Sequence, residues 1–505
     1  MLDTAFVGDG VAWTQHLLDT ACNPTREGDN TVVWTCGWLD REVDGSQVMR
    51  GCYSAVLCHG RDLGGLGLRA LKVMSICGCV MFLAAGSVGA QDWNQWQGPT
   101  RNGRWETSGT IDHFPKSGPT FVWRQKVANG YSGPSVAQGK VIVLDYVRTE
   151  GDTTPNPGTK NPLQGSERIQ CFEAETGKPL WTHEYKCDYL ISYPNGPRAT
   201  PVIDGERVYT LGAEGHLKCL ELSSGRVVWE KELKKEYQLE SAPYWGFAAH
   251  PLIDGDTLYC VVGGEGSVAV AFDKESGRER WRSLSAPVQG YCPPTIVEAH
   301  GIRTLLIWHS LAINGLNPKT GEVYWSFDLA PAYEMPIIAP IQSGNLVLAT
   351  ALQGTSLLIE LGTEPTAAKE VWRGGGIHSD HNPPLIIDGH IYGVSERGQL
   401  KCCELQSGKE VWESLATANN GRPVNSGTGF MVHGDGKFFM FIETGELIIA
   451  KLTPEGCEEL DRAQVLQPTS RTGSRQVVWS HPAFVGTRMF VRNDNELVCV
   501  ELGAK

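Results

Sequence analysis

The sequence predicts an all-β chain: an eight-bladed β-propeller of four-stranded blades closed by its N-terminal strand, with seven blades as the alternative. Three observations carry that expectation. A Ser/Thr-Gly turn followed four residues later by Trp recurs along the chain. The recurring tryptophans are spaced 48, 52, 44, 47 and 40 residues apart, the length of a four-stranded blade of roughly 40–50 residues. The chain also holds 59 Gly and 28 Pro, so turns are frequent and strands must be short.

Five segments show the outer half of the repeat: CFEAETGKPLW (171–181), CLELSSGRVVW (219–229), AFDKESGRERW (271–281), GLNPKTGEVYW (315–325) and CCELQSGKEVW (402–412). They place Trp181, Trp229, Trp281, Trp325 and Trp412 at one position. A further copy, LLIELGTEPTAAKEVW (357–372), loses the Gly and keeps Trp372. Another, LIIAKLTPEGCEEL (447–460), keeps Gly456 and has Leu460 in the Trp position. Upstream of each lies a matching inner half, as in TPVIDGERVY (200–209), HPLIDGDTLY (250–259) and PPLIIDGHIY (383–392). Asp-Gly between apolar runs is a hairpin signal, because both central residues of a type I′ turn need positive φ. A blade therefore reads as strand a, Asp-Gly turn, strand b, turn, strand c, Ser/Thr-Gly turn and strand d. The Trp on strand d is expected to wedge between blades, burying on the order of 200 Å².

Seven such copies end near residue 465. An eighth, SHPAFVGTRMFVRNDNELVCVEL (480–502), has strands a, b and c only. GPTFVWRQKV (118–127), with Trp123, reads as a strand d without a blade of its own. Adding it to the last blade closes the ring and removes the exposed sheet edges. Residues 148–166, RTEGDTTPNPGTKNPLQGS, interrupt the first blade between strands b and c and read as a mobile loop.

Upstream of the propeller, residues 71–90 have a basic start at Arg69 and Lys72, an apolar run and Val88-Gly89-Ala90 before Gln91. This is the pattern of a signal peptide. Residues 1–70 read as an upstream start assigned too early or as a disordered extension, and 91–117 as a lead segment before the propeller at 118–505. The expected location is exported, periplasmic or associated with the cell envelope, with no transmembrane segment in the mature chain. A net charge of −13 without a long Lys/Arg run gives no support for nucleic-acid binding. Nine of the 15 cysteines follow residue 90, scattered and odd in number, which argues against a disulfide framework in a chain this long.

The connections from strand d of one blade to strand a of the next all fall on one face. They carry Tyr131, Tyr193, Arg198, Tyr244, Trp245, His250, His378, Asp380, His381, Arg422, Asn425 and His481, which are expected to converge as a ligand-binding face. His378 and His381 could hold a divalent metal with His250 or His481. Such short spacings arise by chance, so hydrogen bonding to neighbouring loops is the expected role and no metal is expected. Neither a nucleophile elbow nor a placeable carboxylate pair is visible, and no catalytic residue is assigned.

The Ser/Thr-Gly-Lys/Arg-x-x-Trp signature resembles the PQQ-like repeat of quinoprotein alcohol dehydrogenases and of the outer-membrane assembly lipoprotein of the BAM complex. The segment DWNQWQGPTRNG (92–103) is similar to the opening of secreted PQQ-repeat proteins. The resemblance specifies fold far better than function. It implies two alternatives. One is a non-catalytic scaffold, monomeric and without a cofactor, for a protein, peptide or glycan partner. The other is a PQQ- and calcium-dependent dehydrogenase of alcohols or sugars, in which adjacent disulfide-bonded cysteines pack on the cofactor. Cys402-Cys403 is the one adjacent pair after residue 90. It falls inside a strand c, where neighbouring side chains alternate between faces, so both are expected to be small buried hydrophobes. No Cys-x-x-Cys-His haem attachment and no kinase motif is present.

Overall fold

The structure is a computed structural model that describes residues 91–504. Before these it describes only the backbone of two short hairpins, Cys22–Glu27 with Thr31–Cys36 and Glu42–Val43 with Gln47–Val48. The expected signal peptide at 71–90, and the rest of the upstream stretch, lie outside the described residues.

From Thr120 onward the chain forms eight antiparallel sheets arranged as propeller blades. Blade 2 shows the pattern: Val202–Asp204 (strand a), Arg207–Leu211 (b), His216–Glu221 (c) and Val227–Glu232 (d), hydrogen-bonded in that order. Blades 3 to 7 repeat it. Blade 8 takes Ala483–Val485, Arg488–Arg492 and Glu496–Glu501 from the C-terminus and Thr120–Lys126 from the N-terminal side as its strand d. The expected closure by the N-terminal strand is therefore present, with Trp123 opposite Cys499.

Two features of the seven Trp-bearing blades follow from the Trp. First, the residue facing it across the c–d ladder is small or aliphatic: Cys171, Cys219, Ala271, Gly315, Leu358, Cys402 and Cys499 face Trp181, Trp229, Trp281, Trp325, Trp372, Trp412 and Trp123. A register shift follows at once in every case, the place where a bulge lets the indole lean over the sheet. Four of the scattered cysteines are thus explained as compact apolar partners of a blade tryptophan. Second, most of these indoles reach into the next blade. Trp181 Nε1 donates to Leu222 O at 3.0 Å and Trp229 Nε1 to Lys274 O at 2.9 Å. Trp123, Trp281, Trp372 and Trp412 make the same kind of bond to Ala174, Pro318, Leu405 and Thr453.

Trp325 departs from this. Blade 5 lacks the turn glycine that would receive it, and the indole lies on Gly315 of its own blade. The hydrophobic cores sit between blades, each formed by residues of consecutive sheets, as with Leu385, Met431 and Ile448.

The loop expectation for residues 148–166 is corrected. Strands b and c of blade 1 continue through it as one long hairpin, Lys140–Gly151 with Asn161–Glu173, and Tyr189–Ile191 adds a fifth strand. Extended residues on both arms, with Tyr146 stacked on Tyr189 at 4.1 Å, give the insertion a packed base. Only residues 152–160 form its tip.

Candidate functional site

The lead segment determines the shape of the centre. Trp93 pairs with Val136 on the innermost strand of blade 1, with both backbone bonds at 2.8 Å. Asn94 then exchanges bonds with Ile203 of blade 2. The chain crosses the channel, where Gln97 Nε2 donates to Asn382 Oδ1 at 2.9 Å and Arg101 Nη1 to Pro251 O at 2.9 Å. It ends against blades 7 and 8 through Trp105, whose Nε1 donates to Gly486 O at 3.0 Å. A tight turn makes this crossing possible. Gly98 has φ +82° and a Cβ there would meet the Trp93 ring at 3.1 Å. The segment is a plug, and its second tryptophan, Trp96, is the floor of a cavity of about 260 Å³ at the centre of the loop face.

Eight of the expected face residues line that cavity: Tyr131, Tyr193, Arg198, Trp245, His250, Asp380, His381 and His481. The other four lie elsewhere. Tyr244 lines an adjacent groove and packs edge-on against Trp245 at 4.9 Å. His378 turns away to the Ser356 hydroxyl at 3.2 Å. Arg422 and Asn425 are exposed outside the cavity, with the Asn425 carbonyl accepting from Arg475. Among the described residues, His378 and His381 belong to no group of three or more His, Cys and carboxylates close enough to share an ion. The expected residues did not include Trp96, Tyr291, Phe430 and Trp479, which complete the aromatic wall; Tyr291 and Trp479 lie in the same d–a connections, whereas Trp96 belongs to the lead segment and Phe430 to the strand Gly429–Gly434. The signal available for Trp96 was the Trp-x-x-Trp spacing of the lead segment.

The rings interlock. His250 stacks on Trp96 at 4.8 Å and His381 on Trp479 at 5.0 Å, while His481 fits between Trp96 and Phe430. Burial, reinforced by His481, holds His250 far below the usual imidazole range, and its Nδ1 accepts the Thr200 N–H at 2.8 Å. Burial likewise pulls His481 down to about 3. Both are neutral at pH 7. The Arg198 guanidinium lies over the Tyr131 ring at 5.3 Å and is satisfied by the carbonyls of Ser192, Tyr193 and Gly196.

Against this apolar lining stand polar atoms that find no hydrogen-bond partner among the described residues: both oxygens of Asp380, Tyr131 Oη, His481 Nε2, and the Nε1 atoms of Trp96 and Trp479. Asp380 is only 3 % exposed, and His381 Nδ1 lies 3.4 Å from its Oδ2. Buried polar atoms are costly unless paired. The cavity has the composition of a ligand pocket, mostly aromatic with a few convergent polar groups. It also opens sideways. Pro157, from the tip of the blade 1 hairpin, and Trp245, Tyr291 and Met335 are shared with a groove of about 1290 Å³ whose rim includes Tyr333, 69 % exposed at φ 57°.

A calcium ion takes six to eight oxygen ligands, largely carboxylates and carbonyls. Asp380 is the single carboxylate lining the cavity. Cys402 and Cys403 sit in the strand c Leu400–Glu404 of blade 6, buried in two different inter-blade cores.

A family model described as outer membrane protein assembly factor BamB matches residues 165–414. Among solved structures, BamB from Moraxella catarrhalis superposes with a TM-score of 0.50 at 16 % identity, over 76 % of this chain and 97 % of that one. A europium-containing methanol dehydrogenase superposes with a TM-score of 0.57 at 10 % identity, over 82 % and 98 %. The quinohemoprotein alcohol dehydrogenase of Comamonas testosteroni gives 0.53 at 12 %, over 82 % and 81 %. No curated protein matches the sequence. At these identities the structural likenesses speak for the fold alone.

Proposed function

We propose, on the premise that this chain is an eight-bladed β-propeller of PQQ-like repeats, that it is a non-catalytic binding scaffold of the cell envelope. A protein partner docks on the loop face and anchors one residue or chain end in the central cavity. The observation that carries this reading is the aromatic cavity itself, with the unpaired Asp380 carboxylate at its wall and a wide groove leading into it. Interfaces of this kind concentrate affinity where an anchor fills a desolvated pocket and the surrounding rim excludes water. The match to an assembly-factor family model adds support. No helix of the described residues is long and apolar enough to cross a membrane, so on this reading export and a partner supply the envelope location.

A photo-crosslinking residue in place of Tyr333 tests it. Discrete adducts in cells are expected from this rim position and not from Val411, which is exposed on an outer strand d. Adducts from both positions alike, or from neither, count against the reading. Weaker adducts after Trp479→Ala would tie the partner to the cavity.

The second reading, a PQQ- and calcium-dependent dehydrogenase, draws on the same aromatic floor and walls, which could hold a planar ring. The donor set does not fit calcium, and the adjacent cysteines are placed away from the cavity. Titration with PQQ and calcium, followed by Trp fluorescence, separates the two. Saturable quenching that disappears when calcium is removed would favour the enzyme; an unchanged signal favours the scaffold.

A further inference from the structure

We propose that Glu167, Cys187 and His216 form a binding site for one divalent transition-metal ion, zinc by the chemistry of its donors, at the junction of blades 1 and 2. These residues lie apart from the central cavity's lining, and the site does not depend on the scaffold reading.

Strand register brings the three donors together. Glu167 on strand c of blade 1 pairs directly with Tyr185 on strand d. Tyr185, Cys187 and Tyr189 follow at alternate positions, so the chain presents them to one side. His216 begins strand c of blade 2 and comes over from the neighbouring sheet. One ligand atom from each of Glu167, Cys187 and His216 lies within 4.8 Å of the other two.

The spacing matches a metal site. With bonds of about 2.3 Å to sulfur and 2.0–2.1 Å to imidazole nitrogen, a tetrahedral zinc sets its S and N ligands about 3.5 Å apart. Cys187 Sγ and His216 Nδ1 are 3.6 Å apart. The third donor is already oriented. The buried Glu167 carboxylate accepts the Ala213 N–H at 2.8 Å and the Tyr189 hydroxyl at 2.5 Å on Oε1, and the Tyr185 hydroxyl on Oε2. Oε2 keeps a lone pair, and ligating carboxylates are held by outer hydrogen bonds of this sort. Thiolate, imidazole and carboxylate together select zinc or a similar borderline ion over calcium or magnesium. Three protein donors leave a fourth position, and the partly exposed His216 leaves a way in.

Nothing in the repeat asks for these residues. The positions equivalent to Glu167 hold Gly215, Ser267 and Gly398, and those equivalent to Cys187 hold Lys235 and Pro287. A mere Cys–His hydrogen bond would share the geometry, so the test must read the metal itself.

Chelator-stripped protein is titrated with zinc in a calorimeter and with cobalt(II) in a spectrometer. One ion per chain is expected, with proton release as the thiol ionises. Cobalt should give a near-ultraviolet thiolate charge-transfer band and visible bands of tetrahedral intensity. Cys187→Ser should abolish the charge-transfer band, and Tyr189→Phe should weaken binding by about tenfold or more through the carboxylate's support. The cobalt spectrum of the unaltered protein needs no variant, so a misfolded variant cannot rescue or sink the idea. Absence of one-to-one binding to the unaltered protein, or cobalt binding without a charge-transfer band, overturns it.

Discussion

Gly225 lies flat against the indole of Trp181 in the preceding blade: a Cβ at Gly225 would fall 2.4 Å from Trp181 Cε3, and its φ of +71° favours glycine. The same pairing joins Gly177 to Trp123, Gly277 to Trp229 and Gly321 to Trp281. The two fixed residues of the repeat signature therefore meet across a blade boundary instead of within one blade.

Gly225→Ala should cost about 2–4 kcal/mol, from steric overlap and the positive φ together. Gly205→Ala is the control. Gly205 also has positive φ, +55°, but a Cβ there meets nothing within 4 Å, so only the backbone cost of about 1 kcal/mol remains. Urea midpoints of the two variants measure the difference. Equal losses would mean that the Trp contact does not matter.

Trp96→Ala should destabilise the protein by about 3–5 kcal/mol despite lying outside the repeats, because it empties the floor under His250 and His481. Asp380→Asn should do the reverse and raise stability by about 1–3 kcal/mol, since it removes a buried charge without a hydrogen-bond partner. Chemical denaturation of the pair checks both signs. A loss of stability in Asp380→Asn would show that the carboxylate has a partner in solution.

Stability should fall in mild acid. His481 has its folded value pulled from 6.5 down to about 3 by burial, and His250 is depressed as well. The unfolded chain then binds more protons than the folded one below about pH 6.5. The contribution is fully retained above that pH and is lost as pH falls, by roughly 1.4 kcal/mol per pH unit for each imidazole. Urea midpoints at pH 7.5, 6 and 5 should decline, and His481→Gln should flatten the decline. A slope unchanged in the variant would mean that this imidazole is protonated without unfolding.

Cys402 and Cys403 should both alkylate on unfolding without reductant, since one faces Trp412 and the other the blade 5 core. Mass spectrometry of the peptide containing them reads this directly. A bridged pair would contradict the inter-blade packing described above.

The repeat was legible because its marks are local. Asp204-Gly205 and Asp254-Gly255 announce hairpins through the φ they need, and Trp spacing measures the blade. The loop face was legible for the same reason, since a d–a connection is identified by its neighbours in sequence. That placed Tyr131, His250 and Asp380 at the centre. It misplaced His378 and Arg422, whose loops lie on the correct face but whose side chains take other partners or solvent. The insertion at 148–166 reads as a loop because its Pro and Gly content hides strands that exist only by pairing with each other.

What the sequence determined by itself was therefore the fold: the blades and their order, each a property of residues near one another in the chain, and the closing strand, recognisable as a strand d left without a blade of its own. What the tertiary structure decided was the site. Trp96 reaches the cavity because the lead segment crosses the channel, and Glu167, Cys187 and His216 meet because two blades pack together. Those distances depend on ring closure and on packing between sheets, and no local pattern in the chain encodes a contact between side chains that separate blades bring together.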